Sequence, residues 1–167
     1  MTEPYRVSVV CWGNICRSPM AEHLLRAAID ESDLAGSVVV DSFGTSTEEL
    51  GNGMDPRAVD ALRRNGSRDT GWATHRARQF HADHFDSHDL VLAADHVHER
   101  ILRERARDRD DREKVALLRS FDPAAVADGD LGMADPWYGD DADFDETFRQ
   151  IASAIPGILE RISAAVR

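Results

Sequence analysis

Between the β-branched run Val7-Ser8-Val9-Val10 and an amphipathic pattern starting at Ser18 lies the stretch Cys11-Trp12-Gly13-Asn14-Ile15-Cys16-Arg17-Ser18-Pro19. No other part of the chain constrains the fold as much. The run before it is short and apolar, as a buried strand is, and Pro19 suits a first helical turn, where its missing N–H costs nothing. The loop therefore joins a strand end to a helix start. There the unpaired N–H groups of the first turn point into the loop and the helix dipole adds positive potential, which makes an anion site. Gly13 and Asn14 tolerate positive φ, which lets successive N–H groups curl into a nest around an oxyanion. Cys11 then sits at the floor of the nest, and Arg17 reaches over it with a planar fork matched to two phosphate oxygens.

A thiol held against a helix N-terminus and a guanidinium ionises more readily than a free cysteine, whose pKa is about 8.5, and the thiolate is a nucleophile. Ser18 has two readings: a hydrogen-bond donor to that sulfur, or a cap of the helix. Both can hold. The pattern Cys-x5-Arg-Ser resembles the signature of the cysteine-dependent phosphatases. The fuller run from Cys11 to Pro19 is similar to the loop of the low-molecular-weight protein tyrosine phosphatases, with Trp12 at a position that the family varies. The resemblance implies Cys11 as nucleophile and Arg17 as phosphate clamp, with Trp12, Gly13, Asn14, Ile15, Cys16, Arg17 and Ser18 wrapped around the phosphate. It further implies that Asn14 holds the loop's shape with Ser42 and His75 as hydrogen-bonding partners. Cys16 resembles the family's second loop cysteine, which can form a disulfide with the nucleophile under oxidation. Read without the family, Asn14, Ser42 and His75 are ordinary loop polarity, and Cys16 is a small buried apolar side chain.

At 167 residues the chain reads as one domain over its full length, long enough to bury a core; 42% apolar and 31% charged residues are those of a globular protein. The two cysteines, in a Cys-x4-Cys spacing, form neither a disulfide framework nor a zinc pattern and suggest a reducing setting. Met1-Thr2-Glu3-Pro4 has no basic-then-apolar signal pattern, and no apolar run approaches the ~20 residues of a membrane span. The expected location is the cytoplasm. A formal net charge of −11 argues against nucleic acid or an anionic membrane as partner. It also means that the local field at Arg17 must overcome a repulsive global one, which favours basic or neutral sequence around a substrate's phosphate. The chain is expected to act as a monomer or weak dimer without a cofactor.

Along the chain, Met20, Leu24, Leu25, Ala28 and Ile29 fall at helical spacing, with Glu22, His23, Arg26 and Asp30 on the other face. Val38-Val39-Val40-Asp41-Ser42 reads as a second strand, and the Gly-, Thr-, Ser- and Asn-rich segment 43–54 as a loop. Asp55 caps a helix with Pro56 at its first position. Asp89 to Ala94 reads as a third strand, Asp95 opens a helix, and the sign-alternating tract from Arg103 to Arg112 reads as solvated. Val115-Ala116-Leu117-Leu118 is the fourth strand. Two Asp-Pro pairs, Asp122-Pro123 and Asp135-Pro136, follow in a loop, and then a long helix with a bend near Pro156. His81, His84, His88, His96 and His98 read as solvated surface, without a metal-binding pattern. Strands alternating with helices predict an α/β fold: a four-stranded parallel sheet, helices on both faces, and the phosphate-binding loop after the first strand. Ligands in such folds collect at the carboxyl ends of the strands. The resemblance implies the same four-stranded sheet.

A phosphoryl transfer from an alcohol or phenol also needs a proton for the leaving oxygen. Either Asp122 or Asp135 is placed in a loop able to supply it, and the neighbours separate them: Trp137 and Tyr138 wall a narrow cleft and desolvate Asp135, which favours the protonated form. Asp135-Pro136-Trp137-Tyr138-Gly139 looks like the family's Asp-Pro-aromatic-Tyr motif, whose aspartate is the general acid. Once deprotonated, the same carboxylate activates the water that hydrolyses a cysteinyl-phosphate. Loop N–H groups and Arg17 neutralise the equatorial oxygens, so no metal is required.

After Ser42-x-Gly44-Thr45, where relatives place a Trp and a His, this chain has Ser46-Thr47-Glu48-Glu49-Leu50. Glu48 and Glu49 bring negative charge to the substrate's path, and Trp12 and Trp137 stand in for the missing aromatic. Ile15 occupies a place where relatives acting on phosphoarginine have threonine, which favours phosphotyrosine in a protein substrate. Three alternatives stand beside this: a protein-arginine phosphatase, an arsenate reductase on the same fold, which lacks here any cysteine after Cys16, and a phosphotyrosine-binding module without turnover.

Overall fold

The computed structural model describes residues 2–167. Its centre is a parallel sheet of β1 (Tyr5–Cys11), β2 (Val38–Gly44), β3 (Leu90–Ala93) and β4 (Val115–Leu117) in the order β2-β1-β3-β4. Alternate residues of a strand face opposite sides of a sheet, and both sides are apolar here. Val7, Val9, Leu90 and Leu92 share one core with residues of α1 (Arg17–Asp30), α2 (Pro56–Arg64) and α6 (Asp141–Val166). Val10, Val91, Ala93 and Leu117 share the other with Phe43, Phe80, Phe85 and, on α3 (His96–Arg105), Leu102. This two-sided burial is why Leu90-Val91-Leu92-Ala93 is apolar without interruption.

The strand order positions the site. From β1 the chain crosses to β2 on one side, and β3 later pairs on the other side of β1. The loops leaving β1 and β3 thus diverge at the carboxyl end of the sheet and leave a crevice there. Asp95, just after β3, lies 4.0 Å from Arg17 at the end of the segment that follows Cys11.

Several expectations change in detail. Phe43 and Gly44 belong to β2, since pairing with β1 continues to Cys11 opposite Gly44. Gly44 is required by close approach: a Cβ there would lie 2.7 Å from the Trp12 carbonyl oxygen and 3.2 Å from the Asn14 nitrogen. Replacing Gly44 by alanine is expected to cost about 2–4 kcal/mol, because the clash is with backbone that cannot rotate away. Urea denaturation checks this, and a loss below the measurement error would contradict it.

Asp122-Pro123 opens a short helix, α5 (Pro123–Asp128), and is not loop. The final helix continues through Pro156 as one 26-residue element. The charged tract is only partly solvated. It contains the short helix α4 (Arg109–Glu113), in which Asp111 is buried and accepts from Arg107 Nε at 2.8 Å. His88 and His98 are buried rather than solvated: His88 Nε2 lies 2.9 Å from both carboxylate oxygens of Asp41.

Candidate active site

The loop leaves β1 at Cys11 and enters α1 at Arg17. Cys16 is the N-cap residue and makes no side-chain capping bond, so the first-turn N–H groups are left to the loop interior. Asn14 alone among the described non-glycine residues has positive φ, at 59°. Gly13 does not, contrary to expectation. Its small size matters instead, since a Cβ would come within 3.1 Å of Glu49 Cγ.

The strained Asn14 is held from four sides. Its Nδ2 donates to Ser18 Oγ and Ser42 Oγ, each at 2.9 Å, and its Oδ1 accepts from the Arg78 N–H at 3.1 Å. The fourth contact joins its backbone oxygen to His75 Nε2 at 2.6 Å. Burial holds the His75 imidazole below its ordinary value, and a neutral ring with Nε2–H is the tautomer that donates to this carbonyl. Ser42 and His75 are therefore both in contact with Asn14. The sequence reading missed Glu22, placed on the outer face of α1. Glu22 is buried and accepts from Ser42 Oγ at 2.6 Å. His23 beside it is buried as well.

Ser18 is the second residue of α1, so it does not cap the helix. Its Oγ lies 3.0 Å from Cys11 Sγ and 3.2 Å from the Phe43 carbonyl oxygen. A hydroxyl has one proton, and with Asn14 Nδ2 already donating to its oxygen, that proton goes to whichever of the two acceptors is stronger. A thiolate at Cys11 draws it to sulfur.

Arg17 is buried, and its Nη1 donates to the Met133 carbonyl at 2.7 Å. Nη2 lies 3.4 Å from Asp135 Oδ2, and Nη1 lies 4.0 Å from Asp95 Oδ2. Asp95, just after β3, was read only as a helix start. Its place at the carboxyl end of the strand next to β1 is the signal that could have found it. His98, one turn on, is fully buried with neither ring nitrogen partnered, and burial with the nearby Arg17 charge pushes its imidazole down to about 3.

The two Asp-Pro pairs separate. Asp122 is buried and spends its carboxylate on the Ala124 N–H at 3.0 Å as the cap of α5. Asp135 faces Arg17, and its Oδ1 accepts from the Trp137 N–H at 3.1 Å. The aromatic walls do not enclose it as expected: Tyr138 is 83% exposed and Trp137 48%, and the Asp135 side chain is one-third open. They form a rim. The cleft between rim and loop has a volume of about 360 Å³ and is lined by Cys11, Trp12, Gly13, Ile15, Cys16, Arg17, Glu48, Glu49, Asp135, Trp137 and Tyr138. Glu48 is more than a free charge, since its Oε2 accepts from the Trp12 indole N–H at 3.0 Å.

Cys16 differs from Cys11. Burial, with Asp55 beside it, pushes the Cys16 thiol well above its ordinary value, and the thiol donates to Asp55 Oδ2 at 3.7 Å. It is a protonated donor, and both cysteines are unpaired.

The chain is similar to known proteins along nearly its whole length. A family model described as low molecular weight phosphotyrosine protein phosphatase matches residues 6–167. A low molecular weight protein-tyrosine-phosphatase of Streptomyces coelicolor is 45% identical over 98% of this chain and 94% of that protein. Low molecular weight protein-tyrosine phosphatase A of Mycobacterium tuberculosis is 40% identical over 95% of this chain and 91% of its own length. Among solved structures, a low molecular weight phosphotyrosine phosphatase of Vibrio cholerae superposes with a TM-score of 0.83 at 27% identity, covering 95% of this chain and 97% of that one.

Proposed function

The chain belongs to the low molecular weight phosphotyrosine protein phosphatase family, and from that premise we propose that it hydrolyses phosphotyrosine in proteins, and small aryl phosphates, through a cysteinyl-phosphate. The observation that carries the mechanism is that Asp135 and Arg17 meet at 3.4 Å beside a cleft that Cys11 also lines. Cys11 Sγ attacks phosphorus in line as the ester P–O bond breaks. Asp135 gives its proton to the departing phenoxide, while Arg17 and the loop N–H groups hold the equatorial oxygens. Asp135, now a carboxylate, takes a proton from a water that attacks phosphorus. The P–S bond breaks, inorganic phosphate leaves, and the sulfur regains its electron pair with the Ser18 hydroxyl turned toward it. No step calls for a metal.

Phosphotyrosine is favoured over phosphoarginine by Ile15, which lines the cleft. Asp135 argues against a pure binding module, for which an acid at the leaving group has no use. We read residues 1–167 as one catalytic domain that works in the cytoplasm as a monomer or weak dimer. Among the described residues no helix is long and apolar enough to cross a membrane. Under peroxide, a sulfenic acid formed on Cys11 condenses with the Cys16 thiol to a disulfide and water, protecting the nucleophile.

Phosphate release from phosphotyrosine peptides by reduced wild-type protein in the presence of a chelator tests the reading. Hydrolysis is expected, and an inactive reduced protein overturns it. A second expectation concerns the acidic wall. Replacing Glu48 and Glu49 together by glutamine keeps an acceptor for the Trp12 indole and removes two charges. kcat/KM for acidic phosphopeptides should rise about threefold to tenfold, while basic ones gain nothing. Equal turnover of acidic and basic peptides by the wild type would sink the idea.

A further inference from the structure

The turn that carries Asp135, at Pro136–Tyr138, buries Pro136 but leaves both of its aromatic side chains exposed. A polar tether comes from another element. Arg57 Nη1, on α2, donates to the Trp137 carbonyl at 3.1 Å, while the N–H of the same Trp137 donates to Asp135 Oδ1. Trp137 is thus clamped at its carbonyl by Arg57 and at its N–H by the acid itself.

Arg57 is in turn fixed on Asp55. Its Nε donates to Oδ1 at 3.1 Å and its Nη2 to Oδ2 at 2.8 Å, a two-point contact that sets the plane of the guanidinium. Asp55 is bound to the phosphate loop twice, through its own N–H to the Ile15 carbonyl at 2.9 Å and through the Cys16 thiol. The guanidinium also lies over the Phe144 ring, 4.8 Å from its centroid, on the helix that follows the turn.

We propose that Arg57 is a positioning residue for the general acid, and that Asp55 and Arg57 form a bracket holding the Asp135 turn in register with the Cys11 loop. The proposal rests on the assignment of Asp135 as the acid. A general acid works only within hydrogen-bond reach of the leaving oxygen, and a displacement of about 1 Å can cost a hundredfold. Without the bracket, the turn samples orientations in which the carboxyl misses that oxygen, while the nest of N–H groups and Arg17 stays in place.

The signature is a dependence on the leaving group. Tyrosine, whose phenol has a pKa of about 10, needs a proton as it departs, whereas dinitrophenolate leaves readily without one. In Arg57→Met, kcat/KM for a phosphotyrosine peptide is expected to fall about tenfold or more. For 2,4-dinitrophenyl phosphate it should stay within about twofold, as should inhibition by inorganic phosphate. The helix cap survives the change, because the backbone N–H of residue 57 still donates to Asp55 Oδ1. Arg57→Lys, which restores the charge with fewer donors, should recover part of the loss, and it carries the same comparison if the methionine variant does not fold. A parallel fall on both esters, or no fall on either, overturns the proposal. A wild type inactive on both esters overturns instead the phosphatase reading beneath it.

Discussion

Replacing Cys11 by serine is expected to abolish ester hydrolysis, a loss of at least about 10⁴-fold, and to leave phosphate binding intact. The hydroxyl is isosteric enough to leave β1 undisturbed, but a serine becomes a nucleophile only with a base beside it. The side chain next to Cys11 is the Ser18 hydroxyl at 3.0 Å, and the neighbouring Arg17 is a cation. Neither takes a proton from an alcohol. The anion site is made of backbone N–H groups and Arg17, which the change does not touch. Phosphate release from an aryl ester and calorimetric titration with inorganic phosphate read the two halves separately. A Cys11→Ser protein that keeps a few per cent of wild-type turnover would refute the covalent mechanism.

Asp135→Ala is expected to lower kcat/KM for phosphotyrosine by about 10²- to 10³-fold, toward the range for loss of a positioned acid. The loss should shrink toward nothing with 2,4-dinitrophenyl phosphate, whose leaving group needs no proton. The same change removes a carboxylate 3.4 Å from Arg17. Inorganic phosphate should therefore bind as tightly as to the wild type or tighter, since the guanidinium no longer shares its charge with Asp135. Weaker phosphate binding in the variant would mean that Asp135 supports the loop's shape, and retained turnover of phosphotyrosine would move the acid elsewhere. Asp95, near Arg17 Nη1 at 4.0 Å, is then the carboxylate to change next.

These two residues were legible for different reasons. Cys11 is read from its immediate neighbours: a β-branched run before it, two residues suited to loop backbone after it, and a proline in the first helical turn. Asp135 is read only in combination. Asp-Pro begins turns and helices anywhere, and the chain has two such pairs in succession. The aromatic neighbours single out Asp135 through an enclosure that the structure does not contain, since Trp137 and Tyr138 rim the cleft and leave the carboxylate partly open. The structure separates the pair on other grounds: Asp122 is consumed in capping α5, and Asp135 is turned toward Arg17.

Burial of polar residues was the least legible property. Glu22 looks solvent-facing on a helical pattern that also carries His23 and Arg26, yet its carboxylate accepts from Ser42, which supports Asn14. His88 and His98 look like members of a polar histidine-rich segment and lie inside the protein. A helix buries a polar residue whenever another element brings it a partner, and periodicity carries no record of that partner.

The sequence by itself determined the strand, loop and helix that form the candidate phosphate site, the number of strands, and the placing of a thiol next to an arginine. Those follow from backbone preference and hydrogen bonding over a few residues, which neighbours in the chain encode. Only the tertiary structure decided which aspartate meets Arg17, that Glu48 braces Trp12, and that Arg57 reaches the Trp137 carbonyl beside Asp135. Arg17 and Met133 are 116 residues apart and Arg57 and Trp137 are 80 apart. Arg57 follows β2 while Met133 and Trp137 follow β4, the two edge strands of the order β2-β1-β3-β4, so their meeting depends on how whole elements pack around the sheet. Strand order is set by the packing of whole elements against both faces, and no local run of residues specifies it.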